Sequence, residues 1–228
     1  MFLCGKMKSL SPHKLMRWFV ILGIVLPFIT LGQYNRHKWY FGNSVNGVEF
    51  NRGTDSARLV NNQNIPFGTG GSAVATDPAN SNLLFYTDGS NVFDGCYMQM
   101  PNGSGLNGNT SANQPVAISA VPGQPNKYFI FTNSANFTAG GTVSRSVVDL
   151  SLFGNAVFPA PAQGDLENPK NVAIPGLVNR SEAMITVPHA NGVYFWLITH
   201  ESGTQNYSAT LIDSTAYSGT FNTVTSSG

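Results

Sequence analysis

Three segments of the chain repeat one pattern, and this repeat constrains the fold more than any other feature of the sequence. Each segment has a proline at a turn, continues as an apolar strand and closes on a threonine. The three segments are residues 77–87, 121–132 and 187–199, which close on Thr87, Thr132 and Thr199. Repetition at intervals of several tens of residues is typical of repeat architectures, and apolar β-strands as the repeated unit predict the blades of a β-propeller.

The remainder of the sequence also favours strands and turns over helices. No long stretch places apolar residues at helical spacing, and 24 glycines and 13 prolines interrupt the chain every few residues. The segment 88–90, Asp-Gly-Ser, predicts a tight hairpin because glycine tolerates positive φ. Ten strands are predicted, at residues 38–42, 72–76, 83–87, 91–94, 115–121, 127–132, 142–150, 183–187, 193–199 and 207–212. The predicted fold is therefore all-β, a propeller-like array of about three four-stranded blades.

The repeated strands differ from the later strands in the polarity of their two faces. They are apolar on both faces, as expected for strands packed between neighbouring blades. Residues 142–150 alternate better between apolar and polar positions, so we expect this strand nearer a blade edge, where some side chains meet water. Trp196 and the phenylalanines are predicted to be core residues rather than ligand-stacking residues.

The N-terminal residues have the pattern of a targeting segment. Four basic residues precede an apolar run of 14 residues at 18–31, and small residues precede a cleavage point before Gln33. The run is shorter than the roughly 18 residues that a membrane anchor needs, and Pro27 interrupts it. We predict a signal peptide at residues 1–32, a domain at 33–228, and a secreted or outer-surface location with no membrane insertion after cleavage.

Removal of the signal peptide changes the charge of the chain. Four of the 12 basic residues lie in it, which leaves 8 against 11 acidic residues, a net charge of about −3. A mildly acidic chain without a basic cluster is a poor partner for nucleic acid. Cys96 is the only cysteine after residue 32, so no disulfide within the chain is expected. The core must hold the fold, and a hydrophobic fraction of 42% is sufficient for one.

An ordered set of motifs along the chain resembles one protein family. The motifs lie at residues 39–43, 82–89, 100–103, 128–132, 146–152, 189–192 and 196–200. Together they resemble the N-terminal β-propeller region of large exported Bacteroidota surface proteins, which are gliding-motility-associated or carry a type IX secretion sorting domain. The resemblance covers nearly all of residues 33–228. Each motif alone is weak, and their order makes the set specific.

The resemblance implies a non-enzymatic cell-surface module for adhesion, motility-associated display or protein assembly. Its ligand, a protein or a glycan, is not identified by the sequence. Two alternatives remain open: a propeller that binds or hydrolyses carbohydrate, and an accessory that docks to the type IX secretion translocon. Closed propellers have four to eight blades, so about three blades indicate either a fragment of a longer protein, the interpretation we favour, or a propeller whose last blade is left open.

Few residues suggest catalysis. His200 and Glu201 are adjacent, but neighbours on a strand point to opposite faces. His189 lies in a turn, and His37 has no partner suggested by the sequence. Two opposed carboxyl groups would serve glycoside hydrolysis, and arginines would clamp an acidic sugar. The candidates for these roles are Glu49, Glu182, Glu201, Arg52, Arg58, Arg145 and Arg180, all dispersed in sequence. We assign no catalytic or cofactor-binding residue, and no cofactor.

Calcium binding and glycosylation are the other chemical possibilities. Asp88, Asn91 and Asp94 carry oxygen ligands at intervals of three, and Asp77 with Asn80 repeats the spacing weakly, but the hairpin already accounts for the aspartate-glycine pair. No metal ligand is assigned. Ser56 and Ser214 each follow an aspartate in a short motif that resembles the O-glycan attachment sites of Bacteroidota.

Overall fold

Antiparallel pairing, in all but one case between strands that follow one another in sequence, forms all four sheets of the described residues. The computed structural model describes residues 38–41, 44, 46–51, 54, 56–61, 67 and 69–227, all of which belong to the unit Leu31–Gly228. The predicted signal peptide and His37 lie outside these residues. The described residues contain no α-helix and one short 3-10 helix, Ala216–Ser218. The all-β prediction is confirmed.

The sheets follow one another along the chain. The first contains β1 (Lys38–Tyr40), β2 (Asn46–Asn51) and β3 (Ser56–Asn61). The second contains β4 (Ala73–Thr76), β5 (Leu83–Thr87) and β6 (Val92–Asp94). The third contains β7 (Val116–Ala120), β8 (Lys127–Asn133), β9 (Val143–Asp149), β10 (Asp165–Leu166) and β11 (Val172–Ala173), the last two both pairing with β9. The fourth contains β12 (Arg180–Pro188), β13 (Phe195–Glu201), β14 (Tyr207–Ile212) and β15 (Asn222–Ser226).

The sequence repeat corresponds to the second strand of three of these sheets. Strands β5, β8 and β13 carry the apolar runs, and each pairs with the first and the third strand of its sheet. The repeat therefore detects three of the four sheets in the described residues and misses the first. The missed strands β2 and β3 carry Glu49 and Arg58 and lack the apolar run.

Apolar clusters lie between consecutive sheets and bury both faces of the second and third sheets. On β5, Tyr86 packs into a cluster with residues of the first sheet, and its neighbour Phe85 packs into a cluster with residues of the third. On β8, Ile130 packs toward the second sheet, and its neighbour Phe129 packs toward the fourth. Because successive side chains of a strand point to opposite faces, a strand buried on both faces presents neither side to water, and the apolar runs of β5 and β8 suit that position.

The first strands of the sheets contact one another in chain order: β1 contacts β4, β4 contacts β7, and β7 contacts β12. A hydrogen bond reinforces the last of these contacts, because the hydroxyl of Thr186 on β12 donates to the carbonyl oxygen of Ile118 on β7 at 2.8 Å. The four sheets are thus joined along their first strands as well as through their faces.

Two predictions about burial are wrong. Strand β9 is not near an edge: it lies between β8 and the pair β10 and β11, and six of its seven residues are buried. Trp196 is not a core residue, because it is only half-buried on the face of β13 that points away from the third sheet. The phenylalanines divide: those on the central strands are buried, whereas Phe137 and Phe158 lie in loops and are 93% and 82% exposed.

Removal of a buried ring between the third and fourth sheets should destabilise the protein strongly. Phe129 is fully buried, so Phe129→Ala should lower the free energy of unfolding by about 3–5 kcal/mol through lost burial and a cavity. The matched control Phe137→Ala should change it by less than about 0.5 kcal/mol. Urea unfolding followed by circular dichroism measures both, and equal losses for the two variants would contradict the described packing.

Candidate functional site

The segments that lead into β4, β7 and β12 meet at one end of the sheets. We call this the upstream end and define it as residues 69–72, 109–115 and 179–182. The amides of Gly70 and Gly71 donate to the carbonyl oxygens of Thr110 and Ala112 at 2.8 and 2.9 Å. A Cβ atom at Gly70 would lie 2.3 Å from the oxygen of Ala112, so the two segments approach too closely for any residue but glycine.

A carboxylate joins two of these segments. One oxygen of Glu182 accepts hydrogen bonds from the backbone amide and from the side-chain amide of Asn113, both at 3.0 Å. The neighbouring Ser181 accepts at its carbonyl oxygen from Asn133 Nδ2 at 2.7 Å. These bonds connect the start of β12 to the segment before β7 and to the end of β8, and they fix the backbone of the upstream end.

Exposed amide and hydroxyl groups surround this junction. Ser111, Asn113 and Gln114 are exposed, and the loop between β8 and β9 adds exposed Asn136 and Thr138. These groups are uncharged hydrogen-bond donors and acceptors carried by loops that the sheets hold in place. The upstream end can therefore recognise a neutral polar surface. Sequence reasoning missed it because the loops come together only when the sheets pack.

His200 is held by two partners next to this junction. Its Nε2 lies 2.8 Å from the carbonyl oxygen of Thr204, and its Nδ1 lies 3.0 Å from the hydroxyl of Ser181. A carbonyl oxygen only accepts, so the neutral ring carries its proton on Nε2 and accepts the Ser181 hydroxyl proton at Nδ1. Glu201 has a different partner, Asn206 Nδ2 at 2.9 Å. The adjacent residues His200 and Glu201 therefore both make structural hydrogen bonds in the β13–β14 hairpin.

The three candidate glutamates are divided between two sheets. Glu49 lies in the first sheet, whereas Glu182 and Glu201 lie in the fourth. Arg58 Nε donates to Glu49 at 2.8 Å, and Lys38 lies 3.6 Å away. Partial burial opposes ionisation of Glu49, but these two cations outweigh it and hold the pKa of Glu49 below its ordinary value.

The described arginines occupy three separate environments rather than one clamp. Arg58 pairs with Glu49, and Arg145 lies 5.7 Å from the ring centres of Phe129 and Phe221. Arg180 is buried and donates to Ser208 Oγ at 2.8 Å and to the carbonyl oxygen of Gly176 at 2.9 Å. Arg52 lies outside the described residues.

The calcium candidates use their oxygens to hold turns. Asp88 Oδ1 accepts from the backbone amides of Ser90 and Asn91, as in other aspartate-capped turns. Asp94 accepts from two backbone amides and from Asn155 Nδ2, and Asp77 accepts from the amide of Ala79 and from Asn80 Nδ2. Within the described ranges, no group of three or more His, Cys, Asp or Glu side chains could hold a metal ion.

Cys96 and Ser214 are both accessible. Cys96 is exposed and free, and Ser214 is exposed beside Asp213, which accepts hydrogen bonds from the amide and hydroxyl of Thr215 at 2.7 and 2.6 Å. Ser56 is exposed at the start of β3, while Asp55 lies outside the described residues.

A cluster of charges missed by sequence reasoning lies at the opposite end of the third sheet. Lys127 Nζ contacts Glu167 closely, donates to Tyr217 Oη at 2.8 Å and lies 3.4 Å from Asp149. The hydrogen bonds to Glu167 and Tyr217 raise the pKa of Lys127 well above its ordinary value. Because Tyr217 follows β14, the cluster ties the third sheet to the fourth. Its members are spread over 90 residues of sequence, which hides them from motif analysis.

No family model, curated protein or solved structure matches the chain. In the part of the chain that the structure describes, no helix has the length and apolar character needed to cross a membrane.

The charge cluster predicts a loss of stability in acid. Burial raises the pKa of Asp149, but hydrogen bonds from Ser151 and Lys127 outweigh this and hold it below the ordinary value of 3.8. Such a group stabilises the fold above its unfolded pKa, and the contribution is lost as pH falls through the folded pKa. Asp149→Asn should therefore lower the urea midpoint at pH 7, and the difference from the unmodified protein should shrink at pH 3 and below.

Lys127→Met provides the complementary variant, because it leaves Asp149 and Glu167 without their cation. Its deficit should also be largest at neutral pH, where Asp149 is charged, and should decrease as pH falls through the lowered pKa of Asp149. A deficit for either variant that is the same at pH 3 and pH 7 would show that the cluster acts through packing instead of charge.

Proposed function

We propose that residues 33–228 form four blades of an exported β-propeller that serves as a non-enzymatic binding module at the cell surface. The observation that carries the architecture is the contact of β1 with β4, β4 with β7 and β7 with β12. In a propeller, the first strand of each blade lines the central channel, and consecutive blades pack face to face. The apolar clusters between consecutive sheets support the same arrangement.

The proposed binding role rests on the hydrogen bonds and the exposure of the polar side chains. Glu182, His200 and Glu201, the residues best suited to proton transfer, each have structural hydrogen-bond partners. The upstream end instead offers exposed amides and hydroxyls on fixed loops. Loops at one end of a propeller channel are where these folds commonly place ligands. The ligand therefore binds at the upstream end, in adhesion, motility-associated display or protein assembly.

The export and surface location of the module rest on the predicted signal peptide and on the resemblance to exported Bacteroidota surface proteins. Such a protein works outside the cytoplasm, where an uncharged polar surface meets glycans and other surface proteins.

Glycan recognition is the second candidate function, and the composition of the upstream end favours it. Ser111, Asn113 and Gln114 supply neutral donors and acceptors of the kind that bind sugar hydroxyls, and the loop at 134–140 adds amide and hydroxyl groups. Docking to the type IX secretion translocon is a third possibility, which the same variants below can test by pull-down.

Two glutamines that flank the same strand give a matched test of the binding end. Gln114 is exposed before β7 at the upstream end, and Gln124 is exposed after β7 at the opposite end. Gln114→Arg should lower binding at least tenfold, because it places a long charged side chain among the exposed amides, whereas Gln124→Arg should leave binding unchanged. The probes are a glycan array and an outer-membrane fraction of a Bacteroidota cell, and retention of each probe is measured.

The same experiment separates the alternatives. Binding to glycans without release of reducing sugar supports a lectin-like module, and recovery of translocon subunits supports docking to the secretion machinery. Release of reducing sugar would overturn the non-enzymatic assignment. Equal effects of the two glutamine variants would overturn the assignment of the upstream end.

A further inference from the structure

A buried arginine between the third and fourth sheets lacks a carboxylate partner. Arg180 begins β12 and is only 7% exposed. Its Nη1 donates to the hydroxyl of Ser208 on β14 at 2.8 Å, and its Nη2 donates to the carbonyl oxygen of Gly176 at 2.9 Å. Both acceptors are neutral. Within the described residues, no Asp or Glu side chain forms an ion pair with Arg180.

The acidic residue that pairs with Arg180 across the strands bonds to another group. Glu201 lies opposite Arg180 in the pairing of β12 with β13, but its carboxylate accepts from Asn206 Nδ2 at 2.9 Å. A guanidinium does not lose its proton in a protein, so Arg180 keeps its positive charge. Burial of a charge without a counter-charge is strongly unfavourable. The surroundings of Arg180 therefore favour a negative partner.

Two buried donors on this face lack acceptors. Arg180 Nε and Thr199 Oγ1 are both buried and have no hydrogen-bond partner among the described residues. The side chain of Arg180 must cross β13 to reach Ser208 on β14, and the β13 residue that pairs with Ser208 is Thr199. Thr199 shares its face of β13 with Leu197, which is buried against the third sheet. Since paired residues of neighbouring strands share a face, both donors lie beside Ser208.

We propose that Arg180 and Thr199 bind a small monovalent anion, such as a halide, between the third and fourth sheets. The guanidinium supplies the balancing charge and the Nε proton, and the Thr199 hydroxyl donates a second hydrogen bond. A water molecule accepts the same protons but leaves the charge unbalanced. The burial of both groups favours a small ion over an organic carboxylate, which would bring a larger body between the sheets. The ion is thus a structural part of the fold.

The corresponding threonine of the third sheet provides a matched comparison. Thr132 and Thr199 each close one copy of the sequence repeat, both are fully buried, and neither hydroxyl has a partner in the part of the chain that the structure describes. Thr132 shares its face of β8 with Ile130, which packs toward the second sheet, away from Arg180. An anion held by Arg180 therefore contacts Thr199 and not Thr132.

Urea unfolding of the secreted chain tests the site in solution, in sodium bromide and in sodium acetate of equal ionic strength. The midpoint of the unmodified protein should rise with the logarithm of the bromide concentration, because the ion binds the folded state and not the unfolded chain. Acetate should give no such rise. A midpoint that is independent of bromide would overturn the site, and an equal rise in acetate would overturn the assignment to a small ion.

Two threonine variants of equal shape separate ion binding from packing. In acetate, Thr199→Val and Thr132→Val should each match or exceed the midpoint of the unmodified protein, because a methyl group replaces a buried hydroxyl without a partner. In bromide, Thr199→Val should lose about half or more of the bromide-dependent rise, whereas Thr132→Val should keep all of it. Equal responses of the two variants to bromide would overturn the site.

Removal of the charge gives the stronger variant. Arg180→Gln should lose the whole bromide-dependent rise, and circular dichroism checks that it is folded. The threonine pair decides the test if Arg180→Gln does not fold.

Anomalous diffraction from a crystal grown in bromide distinguishes the ion from water. We expect a bromine peak in contact with Arg180 Nε and Thr199 Oγ1. Density at this position without a bromine signal would identify a water molecule and overturn the proposal. A carboxylate of the protein at this position would also overturn it.

Discussion

The burial of both faces of the second and third sheets is the constraint on which the rest of the structure depends. Phe85 and Tyr86 are neighbours on β5 and point into different clusters, as do Phe129 and Ile130 on β8. Such strands cannot lie at a protein surface without exposing a row of large apolar side chains. The sheets must therefore stack, and the contacts of β1 with β4, β4 with β7 and β7 with β12 place each sheet beside the one that precedes it in sequence.

This constraint explains which parts of the fold are visible in the sequence. Strands β5 and β8 are buried on both faces and carry long apolar runs, and β13 carries a similar run although Trp196 and Ile198 on one face are only half-buried, so all three are conspicuous and are predicted with nearly correct bounds. Strands β2, β3 and β15 have at least one polar face, and β10 and β11 have two residues each, so periodicity does not detect them. Strand β9 alternates apolar and polar residues, a pattern that predicts a solvated face, but Ser144 and Ser146 are buried.

The upstream end was less accessible to prediction because its contacts join distant residues. Asn113 and Glu182 are 69 residues apart, and no local pattern indicates that they meet. From the sequence, Glu182 is a carboxylate of possible catalytic use. Only the packing of β12 on β7 shows that it bonds to Asn113. Asp88 is the contrasting case: its partners are two and three residues away, so the hairpin interpretation could be drawn from sequence alone.

Because the sheet faces are used in packing, recognition in this fold must use other surfaces. The faces of the sheets are occupied by contacts with neighbouring sheets, and the aromatic residues of the repeat are among those contacts. Polar recognition must then use the ends of the strands, where the chain turns and backbone groups need partners. At these ends, Asp88, Asp94 and Glu182 already accept hydrogen bonds that fix the loops. The exposed groups named at the upstream end are neutral amides and hydroxyls, some of them bonded within the loops, as Asn113 is to Glu182 and Thr138 is to Asn136, so selectivity there would depend on hydrogen-bond geometry and shape.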